Sequence, residues 1–253
     1  MINLKTEKQI EMMKLAGKIT EGTLLEVQKY IKPGVSTKEL DRIAEDYIKS
    51  QGAIPSFKNY DGYPASICAS INDVVVHGIP HNNTILKEGD IISIDVGAFI
   101  RGYHGDAART FPVGKISAEN QKLIDVTKNS FFEGLKAVKI GGHIGDIGEA
   151  VQKYAEKNGF SVVREMVGHG IGHDMHEDPQ VPNYGHKNFG EKIESGLCIA
   201  IEPMINMGRK EIFIERDGWT CRTRDGKPSG HYENTIAITE KGIEILTLGE
   251  GNE

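Results

Sequence analysis

The sequence predicts an α/β (α+β) fold in which a unit of two helices followed by a set of strands occurs twice. Three observations carry that prediction. Apolar residues at helical spacing follow capping signals in two separate pairs of segments, and each pair is followed by apolar or alternating runs of strand length. The two inter-helix turns also echo each other, Ile31-Lys-Pro-Gly-Val-Ser-Thr37 against Ile140-Gly-Gly-His-Ile-Gly-Asp146, as a duplication would leave them.

The first helix is announced by Thr6-Glu-Lys-Gln9, a capping box, and continued by Ile10, Met13, Ala16, Ile19, Leu24 and Val27 until Pro33-Gly34 stops it. Ser36-Thr-Lys-Glu39 starts the second, whose stripe is Leu40, Ile43, Ala44, Tyr47 and Ile48, with Gly52 as its end. A loop from 55 to 64 follows, then a strand at 66–72, the short run Val74 to Val76 and a hairpin over 91–113. The third helix runs from about Ser117 through Leu123, Val126, Phe131 and Leu135 to Gly141-Gly142. Asp146-Ile-Gly-Glu149 caps a fourth, carrying Ala150, Val151 and Tyr154 up to Gly159. Strands are expected at 161–166, 197–201, 211–215, 234–239 and 243–246, and a frayed tail from 249 to 253. No linker separates independent units, so residues 1–253 are expected to form one catalytic domain with pseudo-repeat halves at roughly 7–115 and 117–246.

Composition narrows the function. With 253 residues, 38% hydrophobic and 26% charged, the chain has the makings of a sizeable core. A net charge of -6 argues against a surface built for sequence-specific nucleic acid or an acidic membrane. The start leads straight into an amphipathic helix without a signal-peptide core, and no segment approaches the ~18 apolar residues of a membrane span. Cys68, Cys198 and Cys221 are an odd set without C-x-x-C spacing, which suits a reducing compartment; the last two read as buried thiols. A cytoplasmic protein is expected.

Four acids interrupt or abut segments that otherwise belong inside. Asp95 lies in Ile91-Ile-Ser-Ile-Asp95-Val, Asp106 in Tyr103-His-Gly-Asp106-Ala-Ala-Arg, Glu202 after Leu197-Cys-Ile-Ala-Ile201, and Glu233 before Asn234-Thr-Ile-Ala-Ile238. Carboxylates are almost never fully buried unless paired or bound to metal, so these four need a shared positive partner. Two divalent cations would supply four positive charges. With His169 as a fifth donor, the set is rich in oxygen and suits Mn, Fe or Co better than structural zinc. Two such ions would activate a bridging hydroxide for attack on an amide carbonyl. A single acid at a strand end is more often a turn or ion-pair residue, and spacing alone would not decide the matter.

The local sequences do. Val76-His77-Gly-Ile-Pro80, Ile94-Asp95-Val-Gly-Ala98, Gly105-Asp106-Ala-Ala-Arg-Thr110, Gly168-His169-Gly-Ile-Gly172, Met175-His176-Glu-Asp-Pro179, Ile201-Glu202-Pro-Met204 and Tyr232-Glu233-Asn-Thr235 together resemble the type I methionine aminopeptidases. The resemblance runs in order from the first helix to about Thr239. It implies the duplicated pita-bread fold with pseudo-twofold symmetry and a central antiparallel sheet carrying a dinuclear site. It implies removal of the initiator methionine from nascent chains, met at the ribosome, by a monomeric bacterial-type enzyme. By the same resemblance Asp95 would chelate one ion, His169 and Glu202 the other, and Asp106 and Glu233 would bridge both. Glu202 would also serve in proton transfer. A monovalent-cation site near Asn72, Val74 and Ser229 is carried over with them.

His77 and His176 match positions that contact substrate and stabilise its tetrahedral intermediate. Tyr60, Tyr63, Cys68 and Trp219 match the wall of an apolar pocket for the methionine side chain. Phe57 and Met175 depart from the family's usual residues at their positions, which leaves the pocket's outline open. Glycines at 168, 170 and 172 argue against a helical zinc pair of His169 and His173, so His173 is expected in a loop. His81, His104, His143 and His186 are read as bystanders. His231 precedes Glu233 by two, so on one strand it would face the same side and touch the ligands from behind. An Xaa-Pro peptidase of the same fold is the rival enzyme, and it usually carries a large extra N-terminal domain. A binding protein that has lost its ligands is the non-enzymatic alternative, and here all five ligands are present.

Overall fold

The computed structural model describes residues 2–249; of the tail expected at 249–253, residues 250–253 lie outside the described residues. Helices α1 (Glu7–Gln28) and α2 (Thr37–Ser50) come first, followed by β1 (Ile54–Pro55), β2 (Ile67–Ile71), β3 (Val74–Val76), β4 (Ile91–Ile100) and β5 (Tyr103–Pro112). Helices α3 (Ala118–Ala137) and α4 (Ile144–Lys157) precede β6 (Ser161–Val162), β7 (Gly168–Gly170), β8 (Glu177–Val181), β9 (Cys198–Ile201) and β10 (Met204–Asn206). The chain then forms β11 (Ile212–Ile214), β12 (Cys221–Thr223), β13 (Ser229–His231), β14 (Glu233–Thr239) and β15 (Gly242–Ile245).

The helix starts follow their sequence signals. Thr6 and Gln9 close the capping box on α1, and the Ser36 and Ser117 side chains accept from the N–H groups of Glu39 and Asn120. Helix α4 begins earlier than expected. His143 is its N-cap, and the Asp146 carboxylate reaches back to the His143 N–H at 3.0 Å, so Asp146 closes a box rather than opening one. The expected strand at 161–166 stops at Val162, because Arg164 and Glu165 turn out to solvent.

One antiparallel sheet organises the molecule in the order β1-β4-β5-β14-β9-β7-β8, with β2 joining β4 and β15 joining β14. Strand β14 pairs with β5 on one side (Glu233 with Ala108, Asn234 with Ala107) and β9 on the other, so it is the seam between strands that follow α1–α2 and strands that follow α3–α4. The seam is narrow and reinforced. Thr235 Oγ1 accepts from the Asp106 N–H at 3.0 Å and donates to the Asp106 carbonyl at 2.9 Å. Arg109 donates to the Glu233 carbonyl and to Asn234 Oδ1, with its guanidinium 4.2 Å from the centre of the Tyr232 ring.

Leu40, Ala44 and Ile48 of α2 pack with Leu24 and Val27 of α1 on Ile67, Ile92, Ile94 and Val96. Phe131 of α3 and Ile144, Ile147 and Val151 of α4 pack on Ile199, Ile201, Ile236 and Ile238. Helix α1 crosses β5 so closely that a Cβ at Gly105 would lie 2.8 Å from the Gly17 nitrogen. The helices thus cover the outer face of the sheet, and the acids gather on the other.

Candidate metal centre and active site

Strand register brings the acids together. Asp95 on β4 and Glu233 on β14 both pair with Ala108 of β5, so the two acids flank one position on the same face. Asp106 pairs with Gly97, two residues along β4 from Asp95, and therefore lies diagonal to it on that face. His169 is the central residue of β7, and Glu202 directly follows β9. His169 Nε2 lies 3.7 Å from Asp106 Oδ2 and 3.6 Å from Glu202 Oε1. His169 Nδ1 is 2.8 Å from the Gly170 carbonyl, which fixes the Nδ1–H tautomer and leaves the Nε2 lone pair facing the acids.

The electrostatics call for cations. Burial pushes the carboxyl groups of Asp95, Glu202 and Glu233 well above the usual carboxylate range, and the Asp106 charge beside each adds to it. Asp106 itself is raised by burial to about 8. Asp95 Oδ1, Asp106 Oδ1 and Glu233 Oε1 are buried without a hydrogen-bond partner among the described residues. Burial lowers His169 to about 4, so its ring is neutral and free to ligate near pH 7. Donor atoms of Asp106, His169 and Glu233 lie within 4.8 Å of one another, as do those of Glu202, His231 and Glu233. Oxygen donors that lack protein partners, joined by a neutral imidazole, fit divalent ions with hard or borderline preference.

The acids form the floor of a cleft of about 720 Å³ whose walls include Tyr60, Tyr63, Cys68, His77, His176 and Trp219. The five acid and histidine donors, His77, His176 and the expected pocket-wall residues thus line one cleft, whereas Asn72, Val74 and Ser229 lie outside it. His77 sits at the end of β3 with φ of 59°, a left-handed conformation uncommon outside glycine, and its ring lies 6.4 Å from that of Trp219. Asp217 accepts from the N–H groups of Trp219 and Thr220 at 2.8 and 2.9 Å, a local turn that presents the indole to Tyr63 at 5.1 Å between ring centres. The Tyr63 hydroxyl lies 3.1 Å from the carbonyls of Ile67 and Gly78, and burial holds its pKa far above the phenol range. Cys68 pairs in register with Asp95, and burial likewise keeps its thiol protonated. Phe57 lines the cleft, whereas Met175 is buried at 2% exposure and is not among the residues lining it.

Other parts of the cleft carry weaker sequence signals. Met166 and Met204 complete the apolar wall; both flank ligand-bearing segments, which is their only trace in the sequence. Tyr60 Oη lies 2.8 Å from His176 Nδ1, a contact 116 residues apart along the chain. Lys5 pairs with buried Glu177, next to His176, and so ties the segment before α1 to the cleft rim. His173 is exposed in a loop with Nδ1 2.8 Å from the Gly102 carbonyl. His231 is on β13, a separate strand from Glu233, yet its Nε2 still comes within 3.8 Å of Glu202 Oε2 and 3.9 Å of Glu233 Oε2. Asn72 and Ser229 meet through a 2.8 Å backbone bond beside β3.

Residues 11–240 match the model of metallopeptidase family M24. A methionine aminopeptidase of Clostridium acetobutylicum is 54% identical over 250 residues, covering 99% of this chain and 100% of that protein. One from Escherichia coli is 47% identical, covering 98% and 94%. The crystal structure of methionine aminopeptidase from Rickettsia prowazekii superposes with a TM-score of 0.96 at 43% identity, covering 98% of this chain and all of that one. Prolidase from Pyrococcus furiosus superposes at 0.80 with 23% identity, of which this chain spans 66%; that likeness shows the shared fold alone. A family match over most of the chain and a relative above half identity agree with a curled antiparallel sheet bearing a cluster of metal-type donors. The chain belongs to metallopeptidase family M24, whose members use divalent metal, and has its pita-bread fold.

Proposed function

We propose that this chain is a metal-dependent methionine aminopeptidase that removes the initiator methionine from nascent proteins whose second residue is small. The observation that carries the reading is the convergence of Asp95, Asp106, His169, Glu202 and Glu233 at the floor of a cleft walled by Tyr63, Cys68 and Trp219. Relatives named methionine aminopeptidase, similar over nearly the whole chain, support the same substrate.

Asp95, Asp106, Glu233, His169 and Glu202 would hold two divalent ions, Mn, Fe or Co. Such ions, when bound, supply Lewis acidity and activated water at neutral pH. The chain's own groups do the rest. Glu202, at the floor of the cleft, accepts the proton of the attacking water as a carboxylate and passes it to the leaving amine. The Tyr60 phenol, kept protonated by a raised pKa, donates to His176 Nδ1. That contact fixes the tautomer with hydrogen on Nε2, which donates to the oxygen that becomes negative in the tetrahedral intermediate. Desolvation in the cleft and the neighbouring His169 keep His176 below the usual imidazole range, so this donor is neutral near pH 7. His77 guards the approach to the second residue. A flexible thioether follows the irregular wall of Tyr63, Cys68, Met204 and Trp219, whereas Lys or Asp would lose hydration there without a partner.

The remaining features fit a monomeric cytoplasmic enzyme meeting chain ends at the ribosome. Among the described residues no helix is long and apolar enough to cross a membrane. The catalytic unit would be a single domain with pseudo-repeat halves, and Asn72, Val74 and Ser229 would form a monovalent-cation site beside it. The test is to strip the metal and assay Met-Ala-Ser, Met-Lys-Ser and Ala-Pro peptides with and without Mn, Co or Fe. Metal-dependent cleavage of Met-Ala-Ser, much slower cleavage of Met-Lys-Ser and negligible cleavage of Ala-Pro is expected. Equal turnover of Ala-Pro and Met-Ala-Ser would favour the Xaa-Pro peptidases instead.

A further inference from the structure

His231 is the one imidazole against the acid cluster that the mechanism leaves unused. It is 1% exposed, and neither ring nitrogen has a hydrogen-bond partner among the described residues. Such an orphaned polar group is costly to bury and calls for an explanation. Its backbone is pinned on both sides, the N–H donating to Thr110 Oγ1 and the carbonyl accepting from the same hydroxyl, each at 2.8 Å. In register, His231 pairs with Met204 of β10.

The ring meets the acids from behind. Nε2 lies 3.8 Å from Glu202 Oε2 and 3.9 Å from Glu233 Oε2, almost equidistant. Glu202 Oε1, its other oxygen, is the one that lies 3.6 Å from His169 Nε2. Glu202 thus has a different imidazole at each carboxylate oxygen. Resting on the metallopeptidase reading, we propose that His231 is a positioning residue, its Nε2–H held between Glu202 and Glu233 so that their other oxygens are aimed at the metal ions. A lone N–H between two carboxylates limits the rotation of both, and outer partners of this kind set the orientation and basicity of the ligands they touch.

The experiment uses the full, metal-stripped chain and Mn as the probe, comparing wild type with His231→Leu and His231→Gln. Three readouts are taken: Mn affinity by calorimetry, unfolding of the metal-free protein in urea, and the number of imidazoles coupled to bound Mn by pulsed electron paramagnetic resonance. His231→Leu should bind Mn roughly 10- to 100-fold more weakly, the range typical of lost outer partners. Its metal-free form should be as stable as wild type or more so, because an apolar isostere leaves no orphaned nitrogen. His231→Gln, which keeps one N–H, should recover most of the affinity. Wild type should show one coupled imidazole, that of His169.

Affinity of His231→Leu within about twofold of wild type, well inside the loss expected of an outer partner, overturns the proposal. So does a metal-free His231→Leu that is less stable than wild type or does not fold, since the ring would then be holding the core. A second coupled imidazole that disappears in His231→Gln overturns it in favour of direct ligation. Wild type that binds none of Mn, Fe or Co overturns the metallopeptidase reading and the inference with it, which separates the two failures.

Discussion

Replacing Asp106 by Asn should move stability in opposite directions with and without metal. Burial raises the Asp106 carboxyl to about 8, while in the unfolded chain it titrates near the ordinary value of about 4. Between those values the folded state holds one proton more than the unfolded state. Stability from this group is therefore full below about pH 4 and is lost, at about 1.4 kcal/mol per pH unit, as the pH rises to about 8. At pH 7 the accumulated loss is about 4 kcal/mol over three pH units. Asn is neutral at every pH and nearly the same shape, so in chelator Asp106→Asn should exceed wild type by about that amount at pH 7 and match it near pH 4. With Mn at 100 times its dissociation constant, each bound ion adds about 2.7 kcal/mol to wild type. The variant cannot balance two cations and gains little, so the order inverts. Urea unfolding followed through the single tryptophan, Trp219, measures both arms. An Asn variant that is less stable than wild type in chelator at pH 7, or a difference that does not change with pH, would refute the reasoning.

Two further substitutions separate roles around the cleft. His176→Ala should lower kcat ~100- to 1000-fold with little change in KM, because a donor to the tetrahedral intermediate acts on the transition state alone; an unchanged kcat with a raised KM would assign it to substrate binding. Tyr60→Phe should lower kcat by about 5-fold, the worth of one hydrogen bond of about 1 kcal/mol, and nitrogen chemical shifts should show His176 leaving the Nε2–H tautomer. Unaltered shifts in that variant would mean that Tyr60 serves only as pocket wall.

The four helices and the long strands β4, β5 and β14 were legible because their apolar periods are sustained over seven residues or more. Strands β7, β8, β10, β12 and β13 were not, since they are three to five residues long, too short to show a period, and β7, β8 and β13 hold Gly-His-Gly, Glu-Asp-Pro and Ser-Gly-His in place of apolar alternation. Their identity comes from the neighbours they pair with, which a local reading does not contain. The start of α4 went astray because Asp146 carries the composition of an N-cap while acting from N3. The five expected metal donors came from recognisable local sequences, not from spacing, as Asp95 and Glu233 are 138 positions apart and meet only through Ala108. His231 shows the same limit: its nearness to Glu233 was anticipated from a shared strand, and a break at Tyr232 produces that nearness by another route.

The seam at β14 sets an order in time as well as in space. Asp95 and Asp106 are made early, but their counterpart Glu233 belongs to the strand that joins β5 to β9, and no shorter stretch of the chain brings all five donors together. A growing chain therefore has no complete metal cluster until β14 has been synthesised and has closed against Asp106 through Thr235 and Arg109. Chemistry that needs all five donors must therefore wait for the strand made last among those that carry them.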